Sequence, residues 1–133
     1  MGSKNRILLG AFTSIILHQF RNDLSKKELY ITKFKVKKIS KKHPEIIHFI
    51  LQHNFQLIID STIAKCDYNQ EGIYNLLACV DNRYILYSVS INNFYLECGT
   101  LFYTSKRQLK KCQKSIKFFS KKYEKDFLKY IES

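Results

Sequence analysis

Apolar residues alternate with lysine over residues 29–39, with Thr32, Phe34 and Val36 on one side and Lys33, Lys35 and Lys37 on the other, a pattern that predicts a half-buried strand. A lysine row on an exposed strand face also keeps a sheet edge from pairing with other chains. Either Ser40 or His43 caps the helix that follows, whose first turn holds Pro44 and Glu45. It runs through Ile46, Ile47, Ile50 and Leu51, breaks at Asn54 and resumes as a second helix over residues 55–65. The turn-rich stretch 67–72 closes this helical part. Three β-branched and aromatic runs, 73–80, 84–91 and 94–103, are separated by Asp81-Asn82-Arg83 and Asn92-Asn93, short turns of residues that tolerate left-handed backbone, and predict an antiparallel meander. From residue 105 to 131, Leu109, Cys112, Ile116, Phe119, Tyr123, Phe127 and Ile131 recur at steps of three and four, opposite Lys106, Lys110, Lys114, Lys117, Lys121 and Lys125. That is the pattern of one long amphipathic helix, capped by Ser105 or Thr104.

The N-terminal residues form an extension, 1–28, ahead of a single α+β domain, 29–133. Lys4 and Arg6 precede an apolar run over residues 7–17 that imitates a signal peptide. No small-x-small cleavage site follows, and eleven residues fall far short of the roughly 20 that a membrane-spanning helix needs. The run is read instead as an amphipathic helix with Leu8, Phe12, Ile15, Ile16 and Gln19 along one side, and it also keeps contact with a membrane surface in play.

Charge changes the picture more than composition does. The 133 residues are 45% hydrophobic with 14% aromatics, too apolar for a disordered basic tail and enough for one folded domain. The net charge of +12 is segregated: residues 26–42 carry eight lysines against Glu28, residues 105–133 carry ten cations against three acids, and residues 43–104 hold a net of −4. Two lysine blocks thus flank an acidic, apolar middle, which points to an anionic partner, either nucleic acid or an acidic protein surface. Arginine is scarce, only Arg6, Arg21, Arg83 and Arg107, so electrostatic attraction is favoured over base-specific reading. Four cysteines, Cys66, Cys79, Cys98 and Cys112, lie 13, 19 and 14 residues apart with no C-x-x-C pair, and read as reduced, mostly buried thiols of a cytoplasmic or virion protein.

The order of strand, helices, three-stranded meander and basic helix, with the runs LLACVDNRYILYSVSI, GTLFYTSKRQLKK and CQKSIKFFSKKYEKDFLKY, resembles the front part of the GNAT acetyltransferase fold. More narrowly, it resembles short acetyltransferase-like internal virion proteins of short-tailed phages. The resemblance rests on residues 73–130 and implies a truncated acetyltransferase-like α+β fold with an antiparallel sheet. Active members hold the pyrophosphate of acetyl-CoA on a glycine-bearing loop before a helix; here that junction reads Tyr103-Thr104-Ser105-Lys106-Arg107-Gln108, without glycine. The sequence also ends soon after the basic helix, where the superfamily continues into the elements that complete the cofactor cleft. The resemblance therefore implies a fold more readily than catalysis, and no cofactor is expected.

If activity were present, the resemblance would make Glu97 the general base and the turn Thr104, Ser105, Lys106 and Arg107 the phosphate site for acetyl-CoA. Against this stand an outward glutamate paired with lysine and a plain helix cap. His43, His48 and His53 are five residues apart, so a helix turns each about 140° from the last, and no metal site is expected. The lysines of the two blocks, Lys33, Lys35, Lys37, Lys110, Lys114, Lys117, Lys121 and Lys125, form the expected nucleic-acid or anion surface. The leading expectation is a non-catalytic structural or packaging component, of the kind of a phage internal virion protein touching DNA or other virion proteins. Its rivals are a small active N-acyltransferase and a non-specific nucleic-acid-binding protein of unrelated fold.

Overall fold

The computed structural model describes residues 5–20, 27–70, 72–91 and 95–133. They build an α+β fold on one mixed sheet of seven strands: β1 (Arg6–Ala11), β2 (Glu28–Thr32), β3 (Thr62–Gln70), β4 (Ile73–Val80), β5 (Arg83–Ile91), β6 (Leu96–Tyr103) and β7 (Ile116–Phe118). Their spatial order is β1-β2-β6-β5-β4-β3-β7, and every neighbouring pair is antiparallel except β2 with β6.

The meander is the part that alternation predicts best. β4 and β5 pair in unbroken register from Ile73↔Ser90 to Val80↔Arg83. Asp81 and Asn82 close the hairpin with φ of 51° and 62°, the left-handed pair that a two-residue turn requires when the strands twist right-handedly. The second predicted turn, Asn92-Asn93, lies outside the described residues.

The N-terminal residues are no appendage. Where a helix over 7–17 is expected, β1 pairs antiparallel with β2, and α1 (Ser14–Phe20) begins only after Thr13, whose Oγ1 accepts the Ile16 N–H at 3.2 Å. The predicted apolar stripe is therefore split: Phe12 is buried with Leu9 and Leu17, whereas Leu8 and Ile15 are 54% and 76% exposed. Gln56 of α4, 45 residues on in the chain, fastens the end of β1, its Oε1 accepting the Ala11 N–H at 2.9 Å and its Nε2 donating to the Ala11 carbonyl at 2.8 Å. Gly10 permits this approach, because a Cβ there would collide with the Gln56 amide.

The predicted strand over 29–39 stops at Thr32. Its Oγ1 accepts the Lys35 N–H at 3.2 Å, an N-cap that converts the chain to α2 (Lys33–Lys42). Val36 and Ile39, three residues apart, then face the core, while Phe34 is left 67% exposed. β2 itself lies between β1 and β6, so the lysines guard no sheet edge. The helices expected over 44–65 are shorter: a 3₁₀ turn (Pro44–Ile46), α3 (His48–Leu51) and α4 (Gln56–Asp60). Neither Ser40 nor His43 supplies a side-chain cap to that 3₁₀ turn. From Thr62 the chain is β3, inserted between β4 and β7.

The long helix expected over 105–131 is also divided. α5 (Lys106–Cys112) passes through a 3₁₀ turn (Gln113–Ser115) into β7, and α6 (Lys121–Glu132) starts afresh at Ser120, which accepts the Tyr123 N–H at 3.3 Å. β7 pairs with β3 from Ala64↔Phe118 to Cys66↔Ile116, so Ile116 joins the core as a strand residue.

Alternation along the strands produces two cores, one on each sheet face. Leu76, Ala78, Ile85, Tyr87 and Val89 pack with Phe12, Leu17, Phe49, Phe55, Ile58 and Ile59 from the N-terminal half. The Tyr87 hydroxyl, fully buried, meets Thr62 Oγ1 at 2.6 Å; since Thr62 donates its own proton to the Ile58 carbonyl at 3.0 Å, Tyr87 is the donor. On the opposite face Leu77, Tyr84 and Leu86 pack with Leu109, Phe127 and Ile131 from α5 and α6. Phe127 is the keystone there, edge-on to Tyr84 at 5.5 Å and 5.0 Å from the Phe118 ring.

Candidate anion-binding groove

Breaking the C-terminal helix in two creates a groove. α5 and its 3₁₀ extension form one wall, the first turns of α6 form the other, and β7 runs along the floor. The groove encloses about 840 Å³, and Ile116, Phe118 and Phe127 supply its apolar base. Lys110, Lys114, Lys117 and Lys121 line it with Glu124 as the only acid. All four lysines are exposed, and among the described residues none has a side-chain hydrogen bond or ion pair. Among the described residues that line the groove, four lysines thus stand against one carboxylate, an arrangement that favours an anion. The groove also opens on the N-terminal turn of α6, whose main-chain dipole favours negative charge.

The eight predicted surface lysines are therefore divided. Lys110, Lys114, Lys117 and Lys121 come together, and Lys125 is exposed further along α6, outside the groove lining. Lys33, Lys35 and Lys37 belong to α2: Lys33 and Lys37 are exposed, and Lys35 Nζ lies 3.5 Å from Glu97 Oε2.

Glu97 lies on β6 opposite Ser90 and Tyr30, half-buried, with Lys35 as its partner. The 104–107 turn is an orthodox cap. Gln108 N–H donates to Ser105 Oγ at 3.2 Å, while Ser105 N–H and Thr104 Oγ1 each donate to Gln108 Oε1 at 3.3 Å. Lys106 Nζ turns to Ser133, donating to its carbonyl and its hydroxyl at 3.1 Å, and lies 4.9 Å from the Tyr130 ring. Ser105 and Arg107 are exposed, Lys106 is half-buried and Thr104 is buried.

All four thiols are free. Burial pushes Cys66 up to about 12, with Cys112 and Asp67 adding to the rise, and burial pushes Cys98 up to about 12 against the opposing charge of Lys35. Such thiols stay protonated and are poor nucleophiles at neutral pH. Among the described residues no group of three His, Cys, Asp or Glu side chains is arranged to hold a metal ion, and no helix is long and apolar enough to cross a membrane.

The residue that pattern reading missed is Ser120. A serine followed by two lysines and Tyr-Glu carries a helix-start signal inside what reads as a continuous helix, and it marks where the groove opens. Comparison with family models, with curated proteins and with solved structures gives no match to this chain.

Proposed function

We propose that the chain is a non-catalytic basic α+β protein whose C-terminal groove takes the phosphate backbone of nucleic acid in a structural or packaging role. The observation that carries this is that Lys110, Lys114, Lys117 and Lys121 all line one groove without ion-pair partners among the described residues. Lysine is a strongly hydrated point charge rather than a planar fork, which suits phosphate attraction without sequence reading. The acetyltransferase-like ancestry and a setting inside a phage particle belong to the same proposal, and they rest on the resemblance carried by residues 73–130. Against the acyltransferase reading, the Glu97 carboxylate is engaged by Lys35, and Ser105 N–H and Thr104 Oγ1 of the 104–107 turn donate to the Gln108 side chain.

The test is duplex DNA titrated at salt concentrations from about 50 to about 200 mM. If the four lysines each neutralise a phosphate, log K falls linearly with log salt at a slope of about −3.6, and duplexes of unrelated sequence give the same line. Affinity that does not move with salt overturns the proposal.

A further inference from the structure

A second cleft lies between α2 and β6 and shares no residue with the lysine groove. It follows from the one parallel pairing in the sheet. β2 and β6 touch only at Leu29↔Leu96 and Tyr30↔Glu97; β2 then ends at Thr32 and the chain leaves as α2, while β6 continues to Tyr103. Beyond Glu97, β6 has no strand on its β2 side, so alternate main-chain N–H and C=O groups of Gly99–Phe102 turn away from β5 towards the gap. A crevice outside the carboxyl ends of parallel strands is where sheets commonly take small ligands.

The gap encloses about 350 Å³, within the range of small-molecule sites. Its walls are chemically divided. Ile39, Leu101 and Phe102 are its apolar lining residues, and the His43 ring stacks on Phe102 at 5.4 Å and 28°. Lys35, Lys38 and Lys42, three and four residues apart on α2, form a cationic rim along one helix face. Lys35 is engaged by Glu97 and Lys38 leans over the Phe34 ring at 5.1 Å, whereas Lys42 has no side-chain partner among the described residues. Gly99 makes room for the Ser88 hydroxyl of β5, which a Cβ there would meet at 2.7 Å.

A ligand that fits both walls has a planar apolar ring at one end and an anionic group at the other. We propose that this cleft binds a small organic phosphate of the nucleotide class, its ring against the His43–Phe102 stack and its phosphate at Lys38 and Lys42. Base edges meet the free main-chain groups of β6, and the phosphate draws on the lysine rim as a point-charge site.

The experiment titrates the full chain with adenosine 5′-monophosphate by calorimetry, alongside ribose 5-phosphate and inorganic phosphate. Saturable binding of the nucleotide is expected, at least tenfold tighter than either control. The exposed double variant Lys38→Glu/Lys42→Glu, with its fold checked by circular dichroism, should weaken it at least tenfold, while Lys114→Ala/Lys117→Ala leaves it unchanged. No saturable binding, equal binding of ribose 5-phosphate or inorganic phosphate, or an unchanged affinity in the α2 variant overturns the proposal. Loss in the Lys114/Lys117 variant overturns it as well, by assigning the nucleotide to the other groove.

Discussion

The two lysine blocks look interchangeable in sequence and are not interchangeable in the fold. On α2 the lysines ride a helix that continues from the end of β2 beside β6, one of them is neutralised by Glu97, and those that line a cavity rim a cleft of about 350 Å³. In the C-terminal block the chain breaks into helix, strand and helix, and four lysines converge on a groove more than twice as large with one acid among them. Positive charge becomes a binding surface through what the backbone brings together and through which partners it leaves out.

The comparison breaks most visibly if the support beneath the C-terminal block is removed. Phe127→Ala empties a fully buried position between Tyr84 and Phe118 and should lower the unfolding free energy by about 3–5 kcal/mol in denaturant titration. A loss below about 1 kcal/mol would mean that α6 is not seated as described. Next comes charge: replacing Lys110, Lys114, Lys117 and Lys121 by alanine should flatten the salt dependence of duplex binding by about 3 in slope, whereas alanine at Lys33, Lys37 and Lys41 should leave it nearly intact. Equal flattening by both sets would erase the distinction between the blocks. Smaller effects separate the helix starts. Ser105→Ala removes a reciprocal capping box and should cost about 1 kcal/mol, with Thr32→Ala, which loses a single cap bond, costing less; the reverse order in chemical denaturation would contradict the cap geometry. Smallest is Glu97→Gln, which removes a part-buried ion pair of 3.5 Å but keeps a side chain of the same shape, and should shift stability by less than about 1 kcal/mol. A change of several kcal/mol would show that the pair anchors α2.

Legibility in the sequence followed the range over which each element is decided. The β4–β5 hairpin is readable because alternation and the Asp81-Asn82 turn lie within a few residues of each other. The stretch 29–39 misleads because Val36 and Ile39 satisfy a helical spacing while Thr32, Phe34 and Val36 satisfy a strand spacing; the cap formed by Thr32 decides between them, and the exposure of Phe34 is the outcome. The segments 62–70 and 116–118 hold too few apolar residues to announce a strand alone; the first becomes one by pairing with β4, and the second by pairing with β3. The helical period of the C-terminal block runs through the break because Leu109, Ile116, Phe127 and Ile131 are all buried against the same sheet face, by different elements. At the candidate site, the lysines were legible as charges, and Ser105 as a cap. Their division into a groove and a cleft was not, since it depends on the β3–β7 pairing and on how far β2 accompanies β6.

The β3–β7 ladder also carries a kinetic consequence. Ala64 meets Phe118 across 54 residues of chain, and a three-residue strand offers few contacts to offset that closure. Non-local pairings of this kind form late and slowly compared with a hairpin such as β4–β5. The floor of the lysine groove therefore costs more chain entropy to close than the β4–β5 hairpin, and the lysines that line it depend on a ladder with little local support.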